Sequence, residues 1–428
     1  MFKTIRNAWK VEDLRKKILF TVFILLIYRV GNAVPVPYIN IDLLGQYFTT
    51  MKNTVLGVLN VMSGSAFSSA TIFALSIQPY INASIIIQLL CIAIPALERL
   101  SKEGGEEGKK KITAITRYST IGIGLVQGFA YYVLIKNNAL LSASGSGVWA
   151  AIVIILTFGA GSALVMWLAE QITEFGIGNG ISVILFAGIV SRLPHAVINL
   201  VANIISQPKT WWIYLLLAIG ALAMVVLIVL VDNAERRIPV QYSKRVVGRK
   251  MYGGQATTLP VKVNMSGVLP VIFAQSIASL PATIAAFVPA WSDGWFINLF
   301  NTDKIPYAII YLLLIVFFSY FYSTIQFNPI EVSNNLRKNG GFIPGFRAGK
   351  PTSDFIAKVL NKTTLFGAIY LGIIAIVPII ISLCSETAAA YGFSIGGTSV
   401  IIVVGVALET VRSLETQMLM RHYKGFLE

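Results

Sequence analysis

Ten apolar stretches of 18 to 25 residues follow one another along the chain, at about 18–35, 72–96, 113–135, 148–168, 178–200, 211–231, 266–289, 306–328, 364–384 and 397–414. A helix needs roughly 20 mostly apolar residues to cross the hydrocarbon core of a bilayer. Only 12% of the 428 residues are charged and 56% are hydrophobic, whereas a soluble domain carries about 25% charged residues. The expected fold is an all-α integral membrane protein with ten transmembrane helices. Two glycine- and serine-rich pieces, 57–71 and 140–147, are too weakly apolar to count as spans. The basic start "MFKTIRNAWKVEDLRKK" leads into one apolar run, but nine more follow, so it reads as a first span and not as a cleaved leader.

Threading ten helices in order sorts the charges. The tail before the first span, the segments 98–117, 232–264 and 330–363, and the C-terminal end together hold 28 of the 34 Lys and Arg residues on one side. The opposite side keeps Arg29, Lys52, Lys136, Arg192, Lys209 and Lys304. Positive charge is retained on the cytoplasmic face, so both termini are expected there. A single misplaced span would mix the two groups, which supports the count of ten. Two of the basic segments run to about 33 residues and contain ordered turn chemistry, "RRIPVQYSKRVVGRKMYGGQ" and "LRKNGGFIPGFRAGKPTSDF". Long loops of this kind are commonly functional. They read as docking surfaces for a soluble partner, and their charge also attracts anionic lipid headgroups.

The membrane interior lacks the groups that most active transporters need. Glu170 ends the fourth span and Glu409 falls in the last turns of the tenth, but no Asp or Glu sits in mid-membrane. Intramembrane ionisable residues are the usual coupling sites of ion-driven carriers. A small-solute carrier built on broken helices is therefore the weaker reading, and a scaffold that recruits a soluble protein is weaker still. "GGEEGKKK" lacks the hydroxyl residue and the strand context of a phosphate loop. Cys91, Cys384, His195 and His422 are isolated, so no disulfide, metal site, cofactor site or nucleophile–base pair is expected.

Two spans carry polar groups and a proline. In "SIQPYINASIIIQLL", Ile77, Ile81, Asn82, Ile85 and Gln88 are spaced to share one side of a helix. In "GVLPVIFAQSIASLPATI" the theme returns. Pro79 and Pro270 are each followed two residues later by Ile, Ile81 and Ile272, and then by polar pairs, Asn82 with Ser84 and Gln275 with Ser276. Two bent, half-polar helices fit the paired walls of a cavity. The isoleucines fit a dry constriction, because apolar rings gate by dewetting. The segment "LGVLNVMSGSAFSSA" just before the first of these helices reads as a short re-entrant piece packed into the cavity mouth.

Five long strings, "FALSIQPYINASIIIQLL", "EFGIGNGIS", "GVLPVIFAQSIASLPATI", "NNLRKNGGFIPGFRAGKPT" and "GGTSVIIVVGVALET", resemble the SecY family, the channel subunits of the Sec protein translocon. The resemblance covers essentially the whole chain. It implies two pseudo-symmetric halves of five helices, here 1–205 and 206–428, closing like a clamshell around an hourglass pore. It implies a passive protein-conducting channel of the bacterial cytoplasmic membrane. Secretory chains would cross through the pore, and membrane helices would leave sideways. The energy would come from the SecA ATPase, the ribosome or the proton motive force.

The pore collar implied is Ile77, Ile81, Ile272 and Ile402, with Ile181 and either Ile184 or Leu185 from the fifth span. The plug would run from about Gly57 to Ala70, including Asn60, Met62, Ser63, Gly64 and Ser65. The lateral gate would include Asn82, Gln88, Gln127, Gln275, Ser276 and Leu280. Lys244, Arg245, Arg249, Lys250 and Arg347 would dock the ribosome or SecA. Further partners implied are the small SecE and SecG subunits, signal peptides and unfolded or nascent polypeptides.

Overall fold

The computed structural model describes residues 2–50, 55–102, 104–142, 145, 147–206, 211–242, 245–247, 250–252, 256–287, 294, 299–300, 304–384 and 397–424. A short helix α1 (Phe2–Lys10) precedes α2 (Glu12–Gly31), α3 (Ile41–Thr50) and α4 (Val55–Met62). Then come α5 (Gln78–Ala93), α6 (Pro95–Lys102), α7 (Gly105–Asn137), α8 (Val148–Phe175), α9 (Gly180–Val190), α10 (Leu193–Ser206) and α11 (Trp211–Asn233). Four strands follow, β1 (Glu235–Tyr242), β2 (Arg245–Val247), β3 (Lys250–Tyr252) and β4 (Ala256–Lys262). The chain continues through α12 (Leu269–Phe287), α13 (Ile305–Gln326), α14 (Pro329–Lys338), β5 (Gly341–Phe342), α15 (Lys350–Cys384) and α16 (Gly397–Lys424).

Each of the ten predicted spans is occupied by helix. Among the described residues, six helices are long and apolar enough to cross a bilayer unaided, and a seventh span qualifies if α5 and α6 count as one element bent by 105°. Of the other spans, α11 and α12 are apolar helices of 23 and 19 residues, and α2 carries Arg15, Lys16, Lys17 and Arg29 as well as Glu12 and Asp13.

Three boundaries differ from the sequence reading for physical reasons. The predicted span 72–96 is helical only from Gln78, and residues 63–77 are turns. Pro79 therefore occupies the first helical turn, where a missing N–H costs nothing; it starts the helix and does not bend it. Pro270 likewise stands second in α12. The predicted span 178–200 breaks at Ser191 and Arg192 into α9 and α10. The basic segment 98–117 is largely helical, because its Glu and Lys residues are good helix formers.

The predicted loops 232–264 and 330–363 are more ordered than loops. β1 pairs antiparallel with β4 from Glu235↔Lys262 to Gln241↔Ala256. On its other edge β1 pairs with β5 through Gln241↔Phe342 and Tyr242↔Gly341. The two segments thus share one three-stranded sheet. Ile238, Val240 and Val261 of that sheet are buried with Ile343, Ile356 and Leu360 in a separate small core.

This sheet and both terminal helices lie at one end of the bundle. Thr4 donates to Glu415 at 3.0 Å, and Ala8, Leu14, Ile177 and Leu414 form a shared apolar cluster. Arg412 of α16 donates to the carbonyl of Asp232 at 2.6 Å and to the side chain of Asn233 at 2.9 Å. Asn264 donates to the Asp232 carboxylate at 2.9 Å. Burial, and then the neighbouring Arg412, hold Lys262 at the end of β4 below the usual lysine value. At the other end α3 and the turns after α4 pack with α7 and α8, where Leu44, Phe48, Phe67, Tyr131 and Phe158 form a second core. Between the ends, α5, α7 and α8 pack together, as do α12, α13 and α15. These two groups meet where α12 touches α4, α5 and α7, and where α16 touches α9.

Candidate functional site

Six aliphatic residues from four helices converge at the middle of the bundle. Ile77 and Ile81 from the start of α5, Ile184 and Leu185 from α9, Ile272 from α12 and Ile402 from α16 are each no more than 1% exposed. All six belong to one buried cluster, and Ile181 packs against it half-buried. Both fifth-span alternatives, Ile184 and Leu185, are therefore inside it. The cluster also takes in Ile85, Ile401 and Met62, the last residue of α4.

Local chemistry sets these positions. Ile77 caps α5, and its carbonyl accepts the Ile81 N–H at 3.1 Å. The string "EFGIGNGIS" makes the sharp entry to α9. Gly178 holds φ at +77°, a conformation that glycine adopts without steric cost. Asn179 then caps the helix by accepting the Ile181 N–H at 3.0 Å. A side chain at Gly180 would fall 1.8 Å from the Ala169 carbonyl oxygen, so α9 begins hard against α8. The start of α16 is fixed similarly, since a Cβ at Gly397 would lie 2.1 Å from the Ile374 carbonyl oxygen. These six residues are all aliphatic and covered, while the wider cluster that holds them also includes aromatic members such as Phe273, Phe318 and Tyr322.

The predicted plug lies against this waist. After α4 the chain turns back on Asn60, whose carbonyl accepts from the Ser65 N–H at 2.9 Å and whose side chain accepts from the Ser68 N–H at 2.9 Å. Ser63 is buried and accepts the Phe67 N–H at 3.2 Å. Gly57, Gly64 and Ser65 are half-buried. Gly64 has φ +68°, and a Cβ there would meet the Gly188 carbonyl oxygen at 2.8 Å. A Cβ at Gly188 would in turn meet the Met62 carbonyl oxygen at 2.5 Å. Plug and α9 therefore touch backbone to backbone. Farther on, Tyr131 stacks on Phe67 and donates to its carbonyl.

Among the described residues, side-chain hydrogen bonds cross the seam between the helix groups. Gln78 on α5 donates to Ser276 on α12 at 3.3 Å. Tyr322 on α13 donates to Gln88 at 2.6 Å, and Gln88 also donates to Ser84 at 3.2 Å. Asn82, Gln275 and Ser276 are buried, and the Gln275 carbonyl oxygen has no partner among the described residues. Beside the seam a cavity is lined by Met62 and Ser63 from the plug, Gln78 and Asn82, Gln127 and Tyr131, Leu185, and Ser279 and Leu280. Of the predicted plug, Met62 and Ser63, and of the predicted gate, Asn82, Gln127 and Leu280, thus face one space with Leu185, while Gln88, Gln275 and Ser276 are not in its lining.

The predicted docking residues are less fully placed. Lys244 and Arg249 lie outside the described residues. Arg245 and Lys250 sit in the β2–β3 ladder, opposite Tyr252 and Val247. Arg347 is exposed on a turn in which Gly345 and Gly349 take φ +87° and +104°. The turn is tied by Thr352 donating to the Arg347 carbonyl at 2.7 Å and by Ser333 donating to the Gly349 carbonyl at 2.9 Å.

Sequence reasoning missed Gln78, Tyr131, Ser279 and Tyr322 as site residues. For Tyr322 a signal existed: Ser319, Tyr322 and Ser323 recur at helical spacing in an otherwise apolar run.

The SecY family model matches residues 71–411. The chain is 42% identical to the protein translocase subunit SecY of Streptomyces scabiei, covering all of both chains. It is also 42% identical to the SecY subunit of Thermotoga maritima, covering all of this chain and 98% of that one. Among solved structures, a protein-conducting channel aligns with TM-score 0.67 at 18% identity over 94% of this chain and 92% of its own. Sec61 from the canine ribosome–channel complex of the endoplasmic reticulum aligns with TM-score 0.64 at 17% identity over the same shares. The fold, the full-length identity and the family match agree, and the chain belongs to the SecY family.

Proposed function

We propose that this chain is the protein-conducting subunit of a Sec translocase, passing unfolded polypeptides through its centre and releasing apolar segments through the seam. One observation carries the reading: aliphatic residues from both helix groups, Ile77, Ile81, Ile184, Leu185, Ile272 and Ile402, lie buried in one hydrophobic cluster that Met62 at the end of α4 also joins. A pore for many different side chains must bind none of them strongly. Flexible aliphatic groups meet that need and close again when the chain has passed. The lateral exit is the seam held by Gln78–Ser276 and Tyr322–Gln88. Two modest hydrogen bonds, each worth roughly 1 kcal/mol net, hold a gate that an apolar signal segment can open.

The end bearing both termini and the β1–β4–β5 sheet is the cytoplasmic one, because most of the 34 Lys and Arg residues fall there. The division into halves 1–205 and 206–428 follows the two helix groups. The sheet and the Arg347 turn at that end form the docking face for SecA or the ribosome. The solved relatives include Sec61 in a ribosome–channel complex, which supports a ribosome as one partner. SecE and SecG complete the assembly in the membrane.

The test is translocation of a secretory precursor into proteoliposomes holding this chain with its partner subunits and SecA. Protected precursor that depends on ATP is expected. No protected precursor with an ATPase-active SecA bound would overturn the proposal.

A further inference from the structure

The central site leaves unused a second cleft, outside the bundle where α13 and α15 meet. It is lined by Tyr320 of α13 and by Asp354, Ala357, Lys358, Asn361, Lys362 and Leu365 of α15. Tyr320 closes its floor by donating to the Asn361 carbonyl at 3.2 Å. Lys358 and Lys362 are one helical turn apart and both exposed, so their ammonium groups stand on one face. Neither has an ion pair among the described residues. Directly below them the surface turns apolar: Leu365, Phe366 and Phe317 are all exposed large hydrophobics. Three residues of helix separate Lys362 from Leu365, about 4.5 Å along the axis.

Two cations stacked over an apolar wall match the two parts of an anionic phospholipid. We infer that this cleft is a binding site for the phosphate headgroup of an anionic membrane lipid, with Lys358 and Lys362 on the phosphate and the acyl chain lying along Leu365 and Phe366. The inference rests on the chain spanning a bilayer, and on no part of the pore assignment. Basic pockets between helices at a membrane surface suit such headgroups, and lysine stems reach them from apolar ground. The apolar wall separates a lipid from free phosphate, which would use the lysines alone. Asp354 lies a further turn from the apolar band. It borders the water side and disfavours an acidic peptide lying along the whole cleft.

The experiment is native mass spectrometry of the full chain in detergent, titrated with dioleoylphosphatidylglycerol or dioleoylphosphatidylcholine. K358Q/K362Q should retain about one phosphatidylglycerol fewer than the unchanged chain at the same lipid concentration, with phosphatidylcholine occupancy unaltered. K358Q and K362Q alone should each weaken retention severalfold. K109Q/K110Q removes the same charge from exposed positions on α7 and should retain the full number. Excess inorganic phosphate should displace none. Equal retention by K358Q/K362Q, equal loss in K109Q/K110Q, or displacement by inorganic phosphate would overturn the inference. Loss of a copurifying protein with lipid retention unchanged would overturn it too, and would assign the cleft to a polypeptide.

Discussion

Ile272 and Ile402 contribute to the seal through shape and dryness alone, so the most informative change keeps size and adds polarity. Ile272→Asn or Ile402→Asn places an amide among aliphatic groups, at a cost of about 1–3 kcal/mol for a polar group without partners. The closed state weakens by that amount, so ion leak across proteoliposomes should rise about tenfold or more, since each 1.4 kcal/mol is tenfold. Single-channel recording of the resting channel checks this. Gly64→Ala acts through the backbone. The φ of +68° and the 2.8 Å approach to Gly188 set a left-handed penalty of about 1–2 kcal/mol against the seated plug. Cysteine crosslinking between plug and α9 should fall accordingly.

Much of this scale was legible beforehand. Ile77, Ile81 and Ile272 stood out by recurring beside polar residues in two separate apolar runs, whereas Ile181, Ile184, Leu185 and Ile402 were named only through the family resemblance. Tyr322–Gln88 was not legible, because the partners are 234 residues apart and nothing local in either run names the other. Tyr322→Phe removes the donor while keeping the ring. It should loosen the seam by roughly 1 kcal/mol, and precursors with weakened signal sequences should be exported severalfold better.

At the scale of elements, the apolar runs were read correctly as helices, because twenty residues of oil-soluble side chain admit little else. Their ends were harder. Pro79 and Pro270 looked like kinks, yet both sit where a helix begins. Whether a proline starts or bends a helix depends on the turns before it, and residues 63–77 owe their shape to packing against α9 and α7. The strands were missed for a related reason. In "ERRIPVQY" only Ile238 and Val240 alternate into a core, and that core exists only because Ile343, Ile356 and Leu360 arrive from more than a hundred residues later. Ile356→Ala should therefore weaken the sheet by about 2–5 kcal/mol. Limited proteolysis should cut the β1–β4 segment sooner, and SecA-driven transport should fall while resting ion leak stays unchanged. Arg347→Glu reverses charge on an exposed turn without touching that core. Transport should drop severalfold with normal expression, as read by SecA-dependent translocation.

The whole molecule joins two helix groups that meet through α12 and α16 and share one buried cluster. Between them lie the aliphatic Ile77, Ile81, Ile184, Leu185, Ile272 and Ile402, the turn after α4 meets α9 at Gly64 and Gly188, and among the described residues Gln78–Ser276 and Tyr322–Gln88 bond across the seam. Such a molecule can part only by opening the buried cluster that both groups share. The asymmetry of charge was readable from the sequence because membrane insertion sorts Lys and Arg by side. How the groups meet was not, since it is settled by side chains that no single run contains.

The most direct test of this account traps a secretory chain halfway through the channel and asks what it touches. Single cysteines at positions 77 and 272 should each form a disulfide with a cysteine in the middle of the stalled chain, while cysteines at Phe129 and Leu313, exposed on the outside of the bundle, should not. A stalled chain that crosslinks to these outer positions and to neither 77 nor 272 would contradict the central claim.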